Sequence, residues 1–201
     1  MNLSVKFVQD VDLAISVMRN AGEWLLLSGK NPSKWWQPQN MNREFLLQYA
    51  NPDEFYVGLI DGKPAVAAIF QFDQRNQDWT SIDKSKHQKA LYVHWLCVHR
   101  HFAGMGLPEI MVDFAQKKAL ENNIKLLRVD TNAAHAKLRR IYEDLGFTLV
   151  GIEQEDYRKT AFYQRRISLD KIPKPFLLGC PSNSPPRLTF CSDFKNSAII
   201  F

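Results

Sequence analysis

Cysteine is scarce in this chain: Cys97, Cys180 and Cys191 are the only three among 201 residues, and no paired or metal-type spacing relates them. That excludes a disulfide-built scaffold and fits a reducing cytoplasm. No run of about 18 apolar residues occurs, so nothing reads as a membrane span. The opening Met1-Asn2-Leu3-Ser4-Val5-Lys6 lacks the apolar core of a signal peptide, and a cytoplasmic setting is expected. Two glycine signatures are missing as well. A dinucleotide loop wants Gly-x-Gly-x-x-Gly, whereas Gly104-Met105-Gly106-Leu107-Pro108-Glu109 has no third glycine, and no acidic residue clearly ends the next strand. A nucleotide P-loop needs Gly-Lys-Ser/Thr after its glycines, and there is none. His94, His99 and His101 follow no common zinc spacing, so no metal is expected. No internal repeat is visible.

What remains has the composition of one globular domain with a full core. The net charge of +5 suits an anionic ligand but is too small and dispersed to argue for nucleic acid. A nucleic-acid binder would show steeply salt-dependent affinity. The densest pattern runs from Leu91 to Phe147. Leu91-Tyr92-Val93-His94-Trp95-Leu96-Cys97-Val98 reads as a buried strand, and a glycine turn at 103–108 opens directly into a helical pattern. A second strand, Ile124 to Val129, leads into a helix with Asn132 as its expected N-cap. Leu138, Ile141 and Leu145 line one face of that helix, and Gly146 ends it. Strand, glycine loop and helix in that order put backbone N–H groups at a helix N-terminus, where a phosphate is favoured.

Around this core, Leu3 to Val8 reads as an opening strand and Val11 to Leu26 as a helix. Lys34-Trp35-Trp36-Gln37-Pro38 is an aromatic loop before a short helix around Asn42 to Tyr49. Phe55 to Ile60 and Ala65 to Phe72 form a hairpin through Asp61-Gly62. Gln74 to Lys89, with Lys84, Lys86, His87 and Lys89, reads as a solvated loop. Phe147 to Ile152 and Ala161 to Ile167 form a closing antiparallel pair around the acidic Glu153-Gln154-Glu155-Asp156. Past residue 169 lie Pro173, Pro175, Pro181, Pro185 and Pro186, half of all the prolines, which argues against helix or interior strand there. The domain is therefore 1–169, with a proline-rich tail at 170–201.

Two motifs within 91–147 resemble the GNAT superfamily of acetyl-CoA-dependent N-acetyltransferases. The family loop, Arg/Gln-x-x-Gly-x-Gly/Ala, falls on Ala103 to Pro108, and its later Tyr-Glu-x-x-Gly-Phe falls on Tyr142-Glu143-Asp144-Leu145-Gly146-Phe147. The resemblance implies an α/β (α+β) fold, a single domain with a mixed central sheet of about six to seven strands flanked by about four helices. It implies acetyl-CoA as co-substrate and a primary amine, on a small molecule or a protein, as acceptor. Main-chain groups of Leu96, Cys97 and Val98 would meet the pantetheine arm and the developing oxyanion. Ala103, Gly104, Met105, Gly106, Leu107 and Pro108 would hold the pyrophosphate, with His135, Leu138 and Tyr142 also on the cofactor. Tyr142 would be the general acid, and Trp35 and Trp36 either shape the acceptor pocket or simply anchor the core.

The departures are specific. Ala103 replaces the usual Arg or Gln, Pro108 has no N–H to donate, and His135 stands where an Asn is common. They leave open a catalytically degenerate CoA-binding or protein-interaction module. A catalyst also needs a base, because a free alkylamine has a pKa of about 10.4. His94 is the candidate, placed mid-strand on the expected face of Leu96 and Val98, and a hydrogen-bonded core histidine is its other reading. A homodimer is compatible with all of this; no membrane or nucleic-acid partner is expected.

Overall fold

Asp10 sets the first helix in place. The structure, a computed structural model, describes residues 4–30, 33–74, 79–84, 88–154 and 158–167. The tail at 170–201, Lys86, His87, Glu155 and Asp156 lie outside those residues. Strand β1 (Lys6–Gln9) leads into α1 (Val11–Leu27), where the Asp10 carboxylate accepts the Leu13 N–H at 2.9 Å. That bond satisfies one donor the first turn would otherwise leave bare. Val11, Ala14, Ile15, Met18 and Ala21 recur at helical spacing and are buried. Gly22 has a different task. A Cβ there would stand 2.7 Å from the carbonyl oxygen of Trp36, so only glycine lets the aromatic loop lie against α1.

The short helix α2 (Arg43–Leu46) is one turn, not the longer helix expected to Tyr49. Gln48 and Tyr49 donate to carbonyls three residues back, at 3.2 and 3.0 Å, so the chain tightens instead of propagating an α-helix. β2 (Phe55–Ile60) and β3 (Lys63–Gln71) form the expected hairpin, with Asp61 and Gly62 at φ 49° and 74°. There follow α3 (Thr80–Asp83), β4 (Leu91–Val98), α4 (Leu107–Glu121), β5 (Leu126–Asn132), α5 (Ala136–Asp144), β6 (Thr148–Gln154) and β7 (Lys159–Arg166). The seven strands make one sheet in the order β1-β2-β3-β4-β5-β7-β6. Every pair is antiparallel except β4 with β5, which α4 joins as a crossover. α1 buries its stripe on one face; on the other, α4 buries Leu107, Met111, Val112, Ala115 and Ala119. Among the described residues no helix is long and apolar enough to cross a membrane.

Three further elements differ from the sequence expectation. The fifth helix, α3, falls in the run read as a solvated loop; Trp79, at its start, is buried against Phe162 and Tyr92. β5 continues past Val129 to Asn132, because β7 pairs with it over that whole length. Asn132 is consequently still strand. Its side chain accepts the Ala134 N–H at 2.9 Å, and α5 starts after His135, which makes no side-chain cap.

The feature that shapes the sheet is a bulge in β4. Between the pairs Ala67↔Cys97 and Ile69↔His94 the chain advances two residues on β3 and three on β4. The extra residue is accommodated at Trp95, which sits at φ 49°, a left-handed conformation costing a side-chain-bearing residue about 1–2 kcal/mol. Leu91 and Val93, then Leu96 and Val98, point to the α4 face, while Cys97 and Trp95 join the α1 face. Pairing between β4 and β5 stops at Leu91↔Leu127 and Tyr92↔Arg128. Beyond that point the two strands part.

Where they still touch, Arg128 locks them to α3. Its wholly buried guanidinium bonds Asp83 at 2.9 Å and the Tyr92 hydroxyl at 3.2 Å, and lies 4.5 Å from the Trp79 ring centre. Removing one member of a buried pair strands the other charge. Asp83→Ala is therefore expected to lower stability by about 3–5 kcal/mol, read as a fall in the urea midpoint.

Candidate active site

The mouth of the gap between β4 and β5 is built by the glycine loop. After Val98 a 3₁₀ turn over Arg100–Phe102 buries Phe102, and Ala103 is extended. Gly104 and Gly106 take φ 83° and 72°, and Gly104, Met105 and Gly106 are all exposed. A Cβ at Gly106 would meet nothing within 4 Å, so the loop is open and not packed shut. α4 begins at Leu107 with Pro108 in its first turn. The N–H groups of Gly106, Leu107 and Glu109 are those for which a helix start provides no intrahelical acceptor, and Pro108 has none to offer. Asn20 anchors the loop to α1 by accepting the Arg100 N–H at 2.8 Å.

Along the gap itself, hydrogen-bond directions follow from one contact. His99 donates to Ala65 of β3 at 2.9 Å. Because successive N–H groups of an extended strand alternate sides, Cys97 also turns its N–H toward β3, while Leu96 and Val98 turn theirs to the side β5 has vacated. Of the three main-chain positions expected to meet a ligand, Leu96 and Val98 thus face the gap and Cys97 does not. The Cys97 thiol is buried on the α1 face, and burial pushes its pKa far up.

His94 is on the opposite face from Leu96 and Val98, contrary to the sequence expectation. The bulge at Trp95 shifts the alternation by one, so His94 follows Tyr92, whose ring lies parallel to it at 6.4 Å. There the imidazole meets a group that sequence reasoning missed. Asp130 of β5 places Oδ1 3.7 Å from His94 Nδ1, and its Oδ2 accepts from Arg158 Nη2 at 2.8 Å. Arg158 in turn donates from Nε to the Thr160 hydroxyl at 2.9 Å. Burial lowers the His94 pKa below its ordinary value, and Asp130 and Glu54 offset only part of this. Glu54 is itself buried and accepts the Asn51 N–H at 2.8 Å.

Tyr142 on α5 is buried in the same apolar cluster as Leu96, Val98 and Leu107, edge-on to Phe147 at 5.7 Å. Burial first, then the Asp130 charge, pushes its phenol well above the usual range; Arg158 pulls slightly the other way. So Tyr142 and His94 respond to one carboxylate across the gap. His135, by contrast, is exposed at the start of α5, and Leu138 is half-buried a turn before Tyr142. On the α1 side, Trp35 packs edge-on against Tyr49 at 4.8 Å and Trp95 at 6.0 Å, with Phe45 beside them. Trp95 also stands 6.2 Å from His94, making Trp35 part of an aromatic wall beside the imidazole. Trp36 is core. Among the described residues no group of three or more His, Cys, Asp or Glu side chains is placed to hold a metal.

Comparison with known proteins points one way. Residues 23–147 match the model of the family described as Acetyltransferase (GNAT) family. An uncharacterized N-acetyltransferase of Bacillus subtilis, YesJ, is 21% identical over 151 residues, covering 74% of this chain and 82% of its own. A GNAT-family acetyltransferase from Listeria monocytogenes superposes with a TM-score of 0.62 at 23% identity, over 82% of this chain and 95% of its own. The PaiA N-acetyltransferase of Thermoplasma acidophilum, solved in complex with coenzyme A, gives 0.58 at 13% identity, over 82% and 99%.

The lowered pKa of His94 has a consequence for stability. A half-buried histidine held neutral contributes its full share above the unfolded value of about 6.5, and loses it as pH falls through the folded value. The urea midpoint should fall more between pH 7 and pH 5 in the native chain than in His94→Gln.

Proposed function

The chain belongs to the acetyltransferase (GNAT) family, and from that premise we propose that it moves an acetyl group from acetyl-CoA to a primary amine by direct attack. One observation carries the reading: β4 and β5 part at Tyr92 and Arg128, leaving the Leu96 and Val98 N–H groups aimed into a gap whose mouth is an open glycine loop. An extended amide-bearing arm can pair there as an added strand would. The N–H groups of Gly106, Leu107 and Glu109 offer a cradle for the pyrophosphate. PaiA, similar in fold, holds coenzyme A.

The amine must lose a proton before or during attack, since an alkylamine is protonated at neutral pH. His94 is poised for this, because its lowered pKa leaves it neutral at pH 7. Nitrogen bonds the acetyl carbon, the C–S bond breaks, and the amine proton reaches sulfur in the net balance. The raised phenol of Tyr142 keeps its own proton and donates a hydrogen bond to the leaving sulfur. Full transfer from phenol to thiolate runs uphill by about 2 kcal/mol even at ordinary values of about 10 and 8.5. Tyr142 therefore acts chiefly as a donor to developing charge, and less as a source of a released proton. The backbone N–H of Leu96 or Val98 meets the oxyanion. The aromatic wall of Trp35, Tyr49 and Trp95 bounds the acceptor side.

Two measurements test this. Calorimetry should show acetyl-CoA binding, and a panel of amines (polyamines, aminoglycosides, amino acids, peptide N-termini) should include one that drives release of free CoA. Tyr142→Phe should then lower kcat about 10–100-fold with the acetyl-CoA Kd unchanged. Binding without turnover across the panel would reduce the chain to a CoA-binding module; no binding would sink the reading altogether.

Pro108 generates a second expectation. Pro108→Ala supplies a missing first-turn N–H, and a hydrogen bond to a charged group contributes about 1.5–3 kcal/mol. Acetyl-CoA should bind about 10-fold tighter or better in that variant, measured by the same calorimetry.

A further inference from the structure

His94 and Asp130 stand in register across a gap that hydrogen bonding has abandoned. Tyr92↔Arg128 is the last pair between β4 and β5, and each of these residues lies two positions beyond it. Had the strands stayed paired, the two side chains would have been neighbours on one face. Separation of the strands leaves them facing, with Asp130 Oδ1 3.7 Å from His94 Nδ1. That is longer than a hydrogen bond, yet contacts of this kind in unliganded sites often tighten once substrate is present. We propose that Asp130 is a positioning residue that holds His94 in the tautomer bearing its proton on Nδ1, leaving Nε2 as the bare nitrogen that takes the proton of the acceptor amine. This rests on the reading of His94 as the base.

The surroundings support the assignment. Asp130 is tethered from its far side: Arg158 Nη2 bonds Oδ2 at 2.8 Å, and Arg158 Nε bonds the Thr160 hydroxyl at 2.9 Å. One carboxylate oxygen is thereby fixed and the other directed at the imidazole. The ring lies between Tyr92, nearly parallel at 8° and 6.4 Å, and Trp95, edge-on at 6.2 Å. A histidine placed only to fill the core needs no partner from a diverging strand. The charged groups that bear on it are Asp130 of β5, Glu54 ahead of β2 and Arg158 ahead of β7, while α5 brings the Tyr142 phenol to the same carboxylate. Asp130 and Glu54 favour the imidazolium; Arg158 and burial oppose it. Which ring nitrogen holds the proton follows from the partner of the other.

Opposite charges predict opposite shifts, which a purely structural role would not produce. In Asp130→Asn the acid limb of kcat/KM, and the His94 imidazole titration followed by NMR, should move to lower pH by roughly 0.5–1 unit. kcat should fall at least ~10-fold while the acetyl-CoA Kd stays within about twofold. In Arg158→Gln the same limb and titration should move up. His94→Gln should erase the limb. If His94→Gln erases it and neither Asp130→Asn nor Arg158→Gln moves it, Asp130 does not act through His94, although the base survives. If the limb persists in His94→Gln, the base reading fails and this inference with it. Should Asp130→Asn fail to fold, an Arg158→Gln titration that stays in place or moves down overturns the proposal alone.

Discussion

A single surplus residue in β4 governs this molecule. A parallel pair of strands joined by a helix normally runs as a ladder, and a ladder leaves no backbone group for a ligand. Here β4 and β5 pair only at Leu91 and Tyr92, and the left-handed Trp95 marks a bulge in the stretch of β4 beyond them. Arg128, pinned to Asp83 and the Tyr92 hydroxyl, holds the strands together just below the split. The result is a wedge whose apex is a buried ion pair and whose mouth is a glycine loop. Strain at one residue of the order of 1–2 kcal/mol is small beside the sheet and core that impose it. Aiming Leu96 and Val98 into open space is what that strain secures.

The wedge also decides the electrostatics. Groups along its walls are removed from water, so burial moves each toward its neutral form. The imidazole of His94 goes down and the phenol of Tyr142 goes up. At neutral pH the first is held as the neutral base and the second as the protonated phenol, the pairing that the proposed attack of an amine on a thioester calls for. Neither shift requires a special charge nearby, because desolvation leads in both. Asp130 then acts on both groups in the same sense, favouring the imidazolium and disfavouring the phenolate. Arg158 counters it in both, so the carboxylate biases the site without trapping a proton.

Much of the frame was legible in the sequence, and the reasons for the failures are physical. The Asp61-Gly62 hairpin, the helix from Val11 and the loop-then-helix at 103–108 announce themselves because turn chemistry and helical spacing are local properties. The bulge at Trp95 has no such signature. Unbroken alternation across 91–98 would put His94 on the face of Leu96 and Val98, and only the bulge reverses this. Asp130 escaped notice for a related reason: apolar periodicity ends at Val129, yet pairing with β7 carries the strand to Asn132. Arg158 escaped because a cation beside a turn reads as solvated until the strand pairing reveals Asp130 beside it. Trp79 and Asp83 lie in a polar run and are buried by residues far along the chain, Phe162 and Tyr92 for the indole and Arg128 for the carboxylate. Long-range pairing, not local pattern, assembled the chemistry.

The thiol nearest the gap bears on the route of transfer. A two-step path would acetylate a cysteine first and release it to the amine later, and it needs a reachable thiolate. Among the described residues Cys97 is the only thiol, and its side chain is sealed in the α1 core with its ionisation suppressed by burial. The bulge that turns His94 toward Asp130 leaves Cys97 on the α1 side, its own N–H committed to β3. That supports the direct encounter of thioester and amine in the proposed function. A direct encounter needs both molecules in the wedge at once, one entering along the unpaired edge of β4 and the other bounded by Trp35, Tyr49 and Trp95. Two substrates held side by side gain from fixed orientation what a covalent relay would gain from a reactive nucleophile.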